Sequence, residues 1–498
     1  MNIDLNVLNH LGINLYSNVP AVLSEVVANA WDADAESVTI TINVDNDEIV
    51  IEDDGHGMNE DDINNKYLTV GYAKRQNGEV ITPKHNRHVM GRKGIGKLSL
   101  FSIANLIEVH SIKSGETNSF ILDSDEIQKK IESSDSNSYY PKEIGWVGPN
   151  FSNGTRIILK SLKKRISGLE GALRKRLSRR FSIIGEKYDF LVKVNDSEIS
   201  IEDRGYFHKI QYLWYYGDES KIYEGLAKNA ERAEKRDNLL NGGHRITGWI
   251  GLVKESNHLQ DADENLNKLV LLMRGKMSKE DMLEEFREGG LYAKYLFGEI
   301  TADFLDDDNK PDIATSSRQN IVEEDDRYLA LKDFLWQELK HIQRSREEFK
   351  REEGEQEALK IEAVESWYGT LRGETKKRAK SLFSKINQIT IDERHKKELF
   401  AHGVLAFESF RYQNALDALD DISAENLDEF LAVFKEFDQI EATLYYKITK
   451  ERVGVIQQLK DKVHNEDALE KILQEFLFKY LWLLDPSWDR ATENAYME

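Results

Sequence analysis

Between Pro20 and Ala35 the apolar residues recur at helical spacing. Leu23, Val26, Val27 and Ala30 share one face, while Glu25, Asn29 and Asp32 share another. Pro20 suits the first turn, where its missing N–H is not needed. The period then changes to two. Val38, Ile40, Ile42 and Val44 alternate with polar residues, as do Ile49 and Ile51, and the DND between them is a turn. This predicts a β-hairpin with one buried face whose second strand runs into DDGHGM, Asp53 to Met58. Residues 59–92 are polar, with Tyr67, Leu68 and Val70 as isolated apolar points, and read as a short helix followed by a long loop. GRKGIGKLSLFSIANLIEVHSI then predicts a glycine-rich turn, an apolar helix and a strand, and NGTRIILKSL a further strand. RITGWIGLV and NKLVLLMRGKM read as strands and SKEDMLEEF as a helix, a second α/β region. From Asp326 onward nearly everything is helical, including a stretch of alternating charge that predicts a long solvated or coiled helix. The pattern divides the chain into an α/β domain over 1–165, a second over 166–330, and a helical arm and C-terminal region over 331–498.

The 498 residues suit roughly three domains. No apolar run is long enough to cross a bilayer, no basic-then-apolar leader opens the chain, and there is no cysteine for a disulfide or thiolate zinc site. These features together lead to the expectation of a cytoplasmic protein without membrane partners. The net charge of -21 argues against a surface coated for nucleic acid, but LKKRISGLEGALRKRLSRR, Leu162 to Arg180, holds a single acid, Glu170. That strip is either a solvated basic helix or a phosphate contact.

A polar stripe of three residues by itself fits a wet helix face. Its neighbours fit something more specific, the parts of an ATP molecule. Asp53, at a strand end, can accept the adenine amino hydrogen. Gly55 and Gly57 allow close backbone approach to the base. Gly91, Gly94 and Gly96 lead into a helix at Lys97, whose N-terminus can hold phosphate oxygens. Asn29 offers a hard oxygen to Mg²⁺. Glu25, one turn earlier, is placed to orient or deprotonate the attacking water, and Asp32 to support the base-binding end. GRKGIGKLS nearly matches a P-loop, but Leu98 stands where that loop needs Ser or Thr, and no buried strand leads into Gly91. His85 and His88, in a polar loop, read as exposed rather than metal-binding.

The ordered set resembles the GHKL ATPase superfamily, which includes DNA gyrase, MutL, MORC proteins, the ninety-kilodalton heat-shock chaperones and sensor histidine kinases. Over about residues 5–165, SEVVANAWDADA resembles the N-box, EDDGHGM and GRKGIGKLS the glycine boxes, and NGT (Asn153–Thr155) the last box. The resemblance implies a Bergerat-type α/β sandwich with ATP between helices and sheet, and a lid over Tyr67–Arg92. It implies that Met58, Ile95 and Thr155 join the nucleotide-contacting residues, and that Lys74 and Lys97 are phosphate partners. The N-box begins too early for the dimerising helix and phospho-accepting His of a kinase, and Glu25 favours hydrolysis. The resemblance further implies a transducer-like second domain that reaches the γ-phosphate with a cation. Arg318, beside Gln319 in DIATSSRQNIVEEDDRY, is the candidate, or else an ordinary salt-bridged loop arginine. The layout is similar to bacterial GHKL proteins with MORC-like ATPase halves, some of which continue into a restriction-type nuclease. EFLFKYLWLLDPSW, with Trp482 and Trp488 near the end, looks like the lead-in to such a domain. The expectation is an ATP-gated homodimeric clamp on DNA, in defence against foreign DNA, with no nuclease activity in residues 1–498. The rival is a chaperone-like ATPase acting on protein.

Overall fold

A computed structural model describes residues 18–419 apart from 70, 92–93, 95, 134–137, 149–151, 262–263, 287–290, 309, 311–312, 314–320, 323, 390 and 413–415, together with 3–4, 452–463 and 470–484. Arg92, Ile95, Arg318, Gln319 and Trp488 therefore lie outside the described residues. The chain forms two units, Met1–Gln343 and Arg344–Glu498.

The first helix, α1 (Val19–Asp32), starts on Asn18, whose side chain accepts the Ala21 amide at 2.9 Å, and carries Pro20 in its first turn. Every residue of α1 is buried except Glu25, which is half-buried, and Asn29, which is exposed. The predicted wet face is thus only one narrow strip. Asp32 does not share it, being 5% exposed.

Beneath α1 lies a sheet built from β1 (Ser37–Asn43), β2 (Glu48–Asp53), β3 (Ala104–Lys113), β4 (Glu116–Asp123), β5 (Lys142–Glu143), β6 (Gly154–Leu162), β7 (Leu191–Val194) and β8 (Ser197–Glu198), in the order β8-β7-β1-β2-β6-β3-β4-β5. Only β1 and β7 pair in parallel. The hairpin β1–β2 forms as its alternation predicts, Ile40 opposite Ile51 and Ile42 opposite Ile49. One core joins Val22, Leu23, Val26 and Val27 of α1 to Val38, Ile40, Ile51, Ile107 and Leu159 of the sheet and to Leu173 and Leu177 of α2 (Leu169–Arg180). Because α2 packs here and β7 and β8 extend the sheet, this layer takes its edge from chain beyond residue 165.

Two sequence expectations shorten. The apolar helix after the glycine-rich turn is a 3₁₀ segment, Gly96–Ser102, because the chain must already enter β3 at Ala104. The helix expected in SKEDMLEEF reduces to a turn at Leu283–Phe286.

The second sheet comprises β9 (Ile210–Tyr216), β10 (Arg232–Arg236), β11 (Thr247–Val253), β12 (Leu269–Met273), β13 (Lys276–Lys279) and β14 (Leu296–Thr301), ordered β10-β9-β11-β14-β12-β13. The strands β9 and β11 are buried almost throughout. An aromatic cluster of Tyr206, Phe207, Trp249 and Phe297 packs on one face. The hairpin β12–β13 closes through the two residues Arg274 (φ 49°) and Gly275 (φ 75°), both left-handed as a tight hairpin turn requires.

The long charged helix α3 spans Asp326–Leu359. In the unit from Arg344, a separate core joins Ala358 to Val364 and Tyr368 of α4 (Glu362–Thr370), Leu382, Phe383 and Ile386 of α5 (Gly373–Gln388), and Phe400 and Phe407 of α6 (Glu393–Tyr412). Among the described residues no helix is long and apolar enough to cross a membrane.

Candidate active site

The open strip of α1 is the starting point. In a helix buried elsewhere, the chain has left Glu25 and Asn29 accessible side by side, one turn apart. Glu25 Oε1 receives the ammonium of Lys276 at 2.9 Å. A Cβ on Gly96 would lie only 2.7 Å from Glu25 Oε2. A side chain at Gly96 would displace this carboxylate, so the glycine lets the second glycine segment cross α1 with Glu25 left in place. Lys276 opens β13, and its side chain is only 5% exposed. A buried ammonium needs a charged partner, and Glu25 is that partner.

At the other end stands Asp53, the last residue of β2, opposite Thr155 of β6. Its Oδ1 accepts the Gly55 amide at 3.0 Å. Burial pushes this carboxyl up to about 7, with the neighbouring Asp54 charge adding and the Gly55 and Thr155 backbone bonds opposing. Ser111 completes the floor. Its hydroxyl lies 3.0 Å from Thr155 Oγ1, donates to the Gly154 carbonyl at 3.1 Å, and accepts the Met58 amide at 2.9 Å. Asp53, Met58 and Thr155 are thus held together, and Ser111, unremarkable in the sequence, joins them.

The glycines serve protein neighbours. At Gly57 (φ 65°) a Cβ would come 1.9 Å from the Ile112 carbonyl oxygen, and at Gly55 it would meet Ala33 at 2.8 Å. At Gly94 (φ 63°) it would lie 2.2 Å from the Tyr72 carbonyl oxygen. These positions let three chain segments close on one another around α1.

The remaining candidates sort by residues 67–92, the segment that the resemblance implies is a lid. Asp32 holds the end of that segment, accepting Met90 N at 2.7 Å and Gly91 N at 2.9 Å, with Lys74 Nζ at 3.6 Å. It therefore positions the lid where support of the base was expected. Asp34 does the same for Lys84 N and His85 N, at 2.8 and 3.2 Å. Burial works against the Asp34 charge, but Thr82, those two amides and nearby Arg87 hold its carboxyl below the usual range. Arg87 itself is buried, with its guanidinium 4.4 Å over Trp31 and bonded to the Ala35, Tyr188 and Asp189 carbonyls. The lid thus has anchors that no periodicity shows. Lys97 is turned to the start of the lid: its Nζ donates to the Lys66 and Thr69 carbonyls at 3.0 and 2.8 Å, and burial pushes it down to about 7. His85 Nε2 lies 3.1 Å from Glu36, and the His88 carbonyl accepts the Trp31 indole.

The basic strip is largely occupied. Arg174 pairs with Asp203 at 2.9 Å, Lys175 with Asp261 at 2.7 Å and Arg179 with Glu264 at 2.7 Å. Lys163, Lys164 and Arg165 are exposed ahead of α2, and the Lys163 ammonium donates to the Phe101 carbonyl at 2.7 Å.

A mixed α/β layer with an acid on its first helix, an acid at a strand end and glycine segments packed around that helix has the layout of a nucleotide-binding domain, and a second α/β domain follows it. Residues 16–149 match the family described as histidine kinase-, DNA gyrase B-, and HSP90-like ATPase, so the chain carries a GHKL-type ATPase domain. It is 41% identical over 337 residues to "Putative type II restriction enzyme HgiDII" of Herpetosiphon aurantiacus, covering 67% of this chain and 54% of that protein. It is also 27% identical over 188 residues to chaperone protein HtpG of Rickettsia canadensis, covering 33% of this chain and 28% of that protein, and 29% identical over 189 residues to HtpG of Rickettsia rickettsii, covering 33% and 28%. The chain thus spans about half of the first relative and under a third of the chaperones.

Proposed function

We propose that the protein is a Mg²⁺-dependent ATP hydrolase whose ATP-bound form closes as a homodimeric clamp on DNA. The observation that carries the hydrolytic reading is the Glu25–Lys276 pair beside Gly96, on the only open strip of α1. ATP would lie with its adenine at Asp53 and its γ-phosphate toward this pair. Glu25 would take a proton from the attacking water as the water oxygen bonds to the γ-phosphorus and the bond from that phosphorus to the bridging oxygen breaks, ADP leaving with the electron pair. Lys276 would then face the charge that develops on the phosphoryl oxygens. Arg318 was the expected second-domain cation; Lys276 takes that role in this proposal. Asn29 fits a magnesium ligand, being an exposed amide oxygen one turn from Glu25, and bound Mg²⁺ would neutralise phosphate charge. Calorimetry with a non-hydrolysable ATP analogue and a phosphate-release assay on wild type, Glu25→Ala and Asp53→Asn test this. Binding with loss of turnover in the first variant, and loss of binding in the second, is the expected pattern. Normal hydrolysis by Glu25→Ala would overturn it.

DNA as the client draws on the restriction-enzyme description of the Herpetosiphon relative, and a role in defence against foreign DNA follows from the same source. Nuclease activity is not part of the proposal. Incubating the chain with plasmid and Mg²⁺ and finding cleavage would require adding it. The chaperone-like reading is favoured by the HtpG matches and by the internal pairing of Arg174, Lys175 and Arg179. Salt-dependent binding to duplex DNA, as against binding to unfolded protein, separates the two.

A further inference from the structure

The hairpin turn Met273–Lys276 enters the ATPase domain at one point and touches two functional parts there. Gly275 is seated against the segment after α2: its carbonyl accepts the Ser182 amide at 2.9 Å, and a Cβ on it would lie 2.2 Å from Ile183. Lys276 bridges Phe181 through the backbone. From this fixed base Lys276 reaches Glu25. Two residues earlier on the same turn, Arg274 reaches the lid.

There it enters a nearly closed group of four charges. Arg75, in the 3₁₀ turn Lys74–Asn77 of the lid, contacts Asp306 at 2.7 Å and Asp308 at 3.3 Å. Arg274 contacts Asp306 at 3.4 Å and Asp308 at 2.7 Å. The two arginine side chains are 4% and 8% exposed, and the two aspartates 11% and 20%. Arg75 also donates to the Met90 carbonyl at 3.2 Å, tying both ends of the lid together, and the Arg274 amide donates to Asp303 at 2.6 Å. Each guanidinium meets both carboxylates, and Asp303 and Arg327 add one charge of each sign beside the four. One cation belongs to the lid; the other three charges belong to the second domain.

We infer that Arg75, Arg274, Asp306 and Asp308 form a latch that holds the lid against the second domain and, through the shared hairpin turn, positions Lys276 at Glu25. The four are positioning residues. Their part in turnover rests on the proposed ATPase activity, whereas their hold on the lid does not. Since breaking one member of a buried ion pair leaves the others uncompensated, lid opening and withdrawal of the hairpin become one event.

The test has two arms. Amide hydrogen exchange of residues 71–91 is measured without nucleotide in wild type, Arg75→Ala, Arg274→Ala and the Asp306→Asn/Asp308→Asn pair, with Arg75→Lys as a milder variant that keeps the charge but loses the fork geometry. Lid exchange should rise at least about tenfold in the first three variants and less in Arg75→Lys. Combining Arg75→Ala with the aspartate pair should add little to either alone. In the second arm, the kcat for ATP should fall about tenfold or more while the affinity for a non-hydrolysable analogue, set at Asp53, changes less than about threefold. Unchanged lid protection in Arg75→Ala and in the aspartate pair would overturn the latch. A loosened lid with unchanged kcat would overturn the link to Lys276. Should wild type itself fail to turn over ATP, the ATPase reading falls while the exchange arm still decides the latch.

Discussion

Asp53→Asn replaces a buried carboxyl with a neutral group of the same shape. Burial raises the Asp53 pKa from 3.8 to about 7. A tenfold change in an equilibrium constant is worth about 1.4 kcal/mol, so keeping this group ionised in the empty protein costs about 4 kcal/mol relative to the unfolded chain. The sign follows from proton binding. Between pH 3.8 and 7 the folded protein holds the Asp53 proton and the unfolded chain has released it. Raising the pH through that window therefore lowers stability, and above it the whole cost is present. Asparagine carries no such cost, and its side-chain oxygen can still accept the Gly55 amide. The variant without nucleotide is thus expected to be more stable than wild type at pH 8, by up to about 4 kcal/mol, with the difference vanishing near pH 4. In the proposed mode of binding the same change removes the charge-assisted acceptor for the adenine amino group, so ATP affinity should fall at least about tenfold. Thermal melts of both proteins across pH 4–8, with calorimetry on the same samples, make the comparison. A variant that binds ATP as tightly as wild type would refute the role of Asp53. A variant no more stable at pH 8 would refute the burial cost.

Wild-type ATP affinity should itself weaken as pH falls below about 7, since the proposed adenine contact uses the ionised Asp53; a flat profile from pH 8 to 6 would contradict this. Lys276→Met should lower kcat by about a hundredfold, because it removes the cation proposed to face the developing phosphate charge, and single-turnover measurements showing wild-type rates would take Lys276 out of the mechanism. Gly57→Ala would push a methyl group into the Ile112 carbonyl at a left-handed position, and should cost at least about 2 kcal/mol, read as a lower melting temperature of the ATPase domain. Lys164→Ala together with Arg165→Ala should weaken duplex-DNA binding and flatten its salt dependence, by about 0.9 in log–log slope for each phosphate no longer neutralised; an unchanged slope would place the DNA surface elsewhere.

Local pattern was a good guide wherever one segment carries its own signal. The apolar spacing of α1, the alternation of Val38 to Ile51 and the strand character of 247–253 and 269–273 all correspond to observed elements. It was a poor guide to element type at Gly96–Ser102, where glycine-rich chain and an apolar run read as an α-helix but the next strand leaves room only for a seven-residue 3₁₀ segment. Asp32 and Glu25 share a face in sequence terms, yet Asp32 is spent on lid amides because the lid returns over the end of α1.

Residues alone put Glu25 on a helix and Asp53 at a strand end, marked out the glycine segments, and indicated two α/β domains followed by a helical region. Periodicity records which side of an element avoids water, and residue type records what chemistry a position can offer. Neither records which distant segment arrives to cover that side. Lys276 stands 251 positions from Glu25, and Arg75 231 from Asp306. The only hint of the first is the left-handed Arg-Gly turn that aims the hairpin. Those partners were chosen by the packing of two sheets about one helix, where a buried charge must find its opposite wherever the chain brings one within reach.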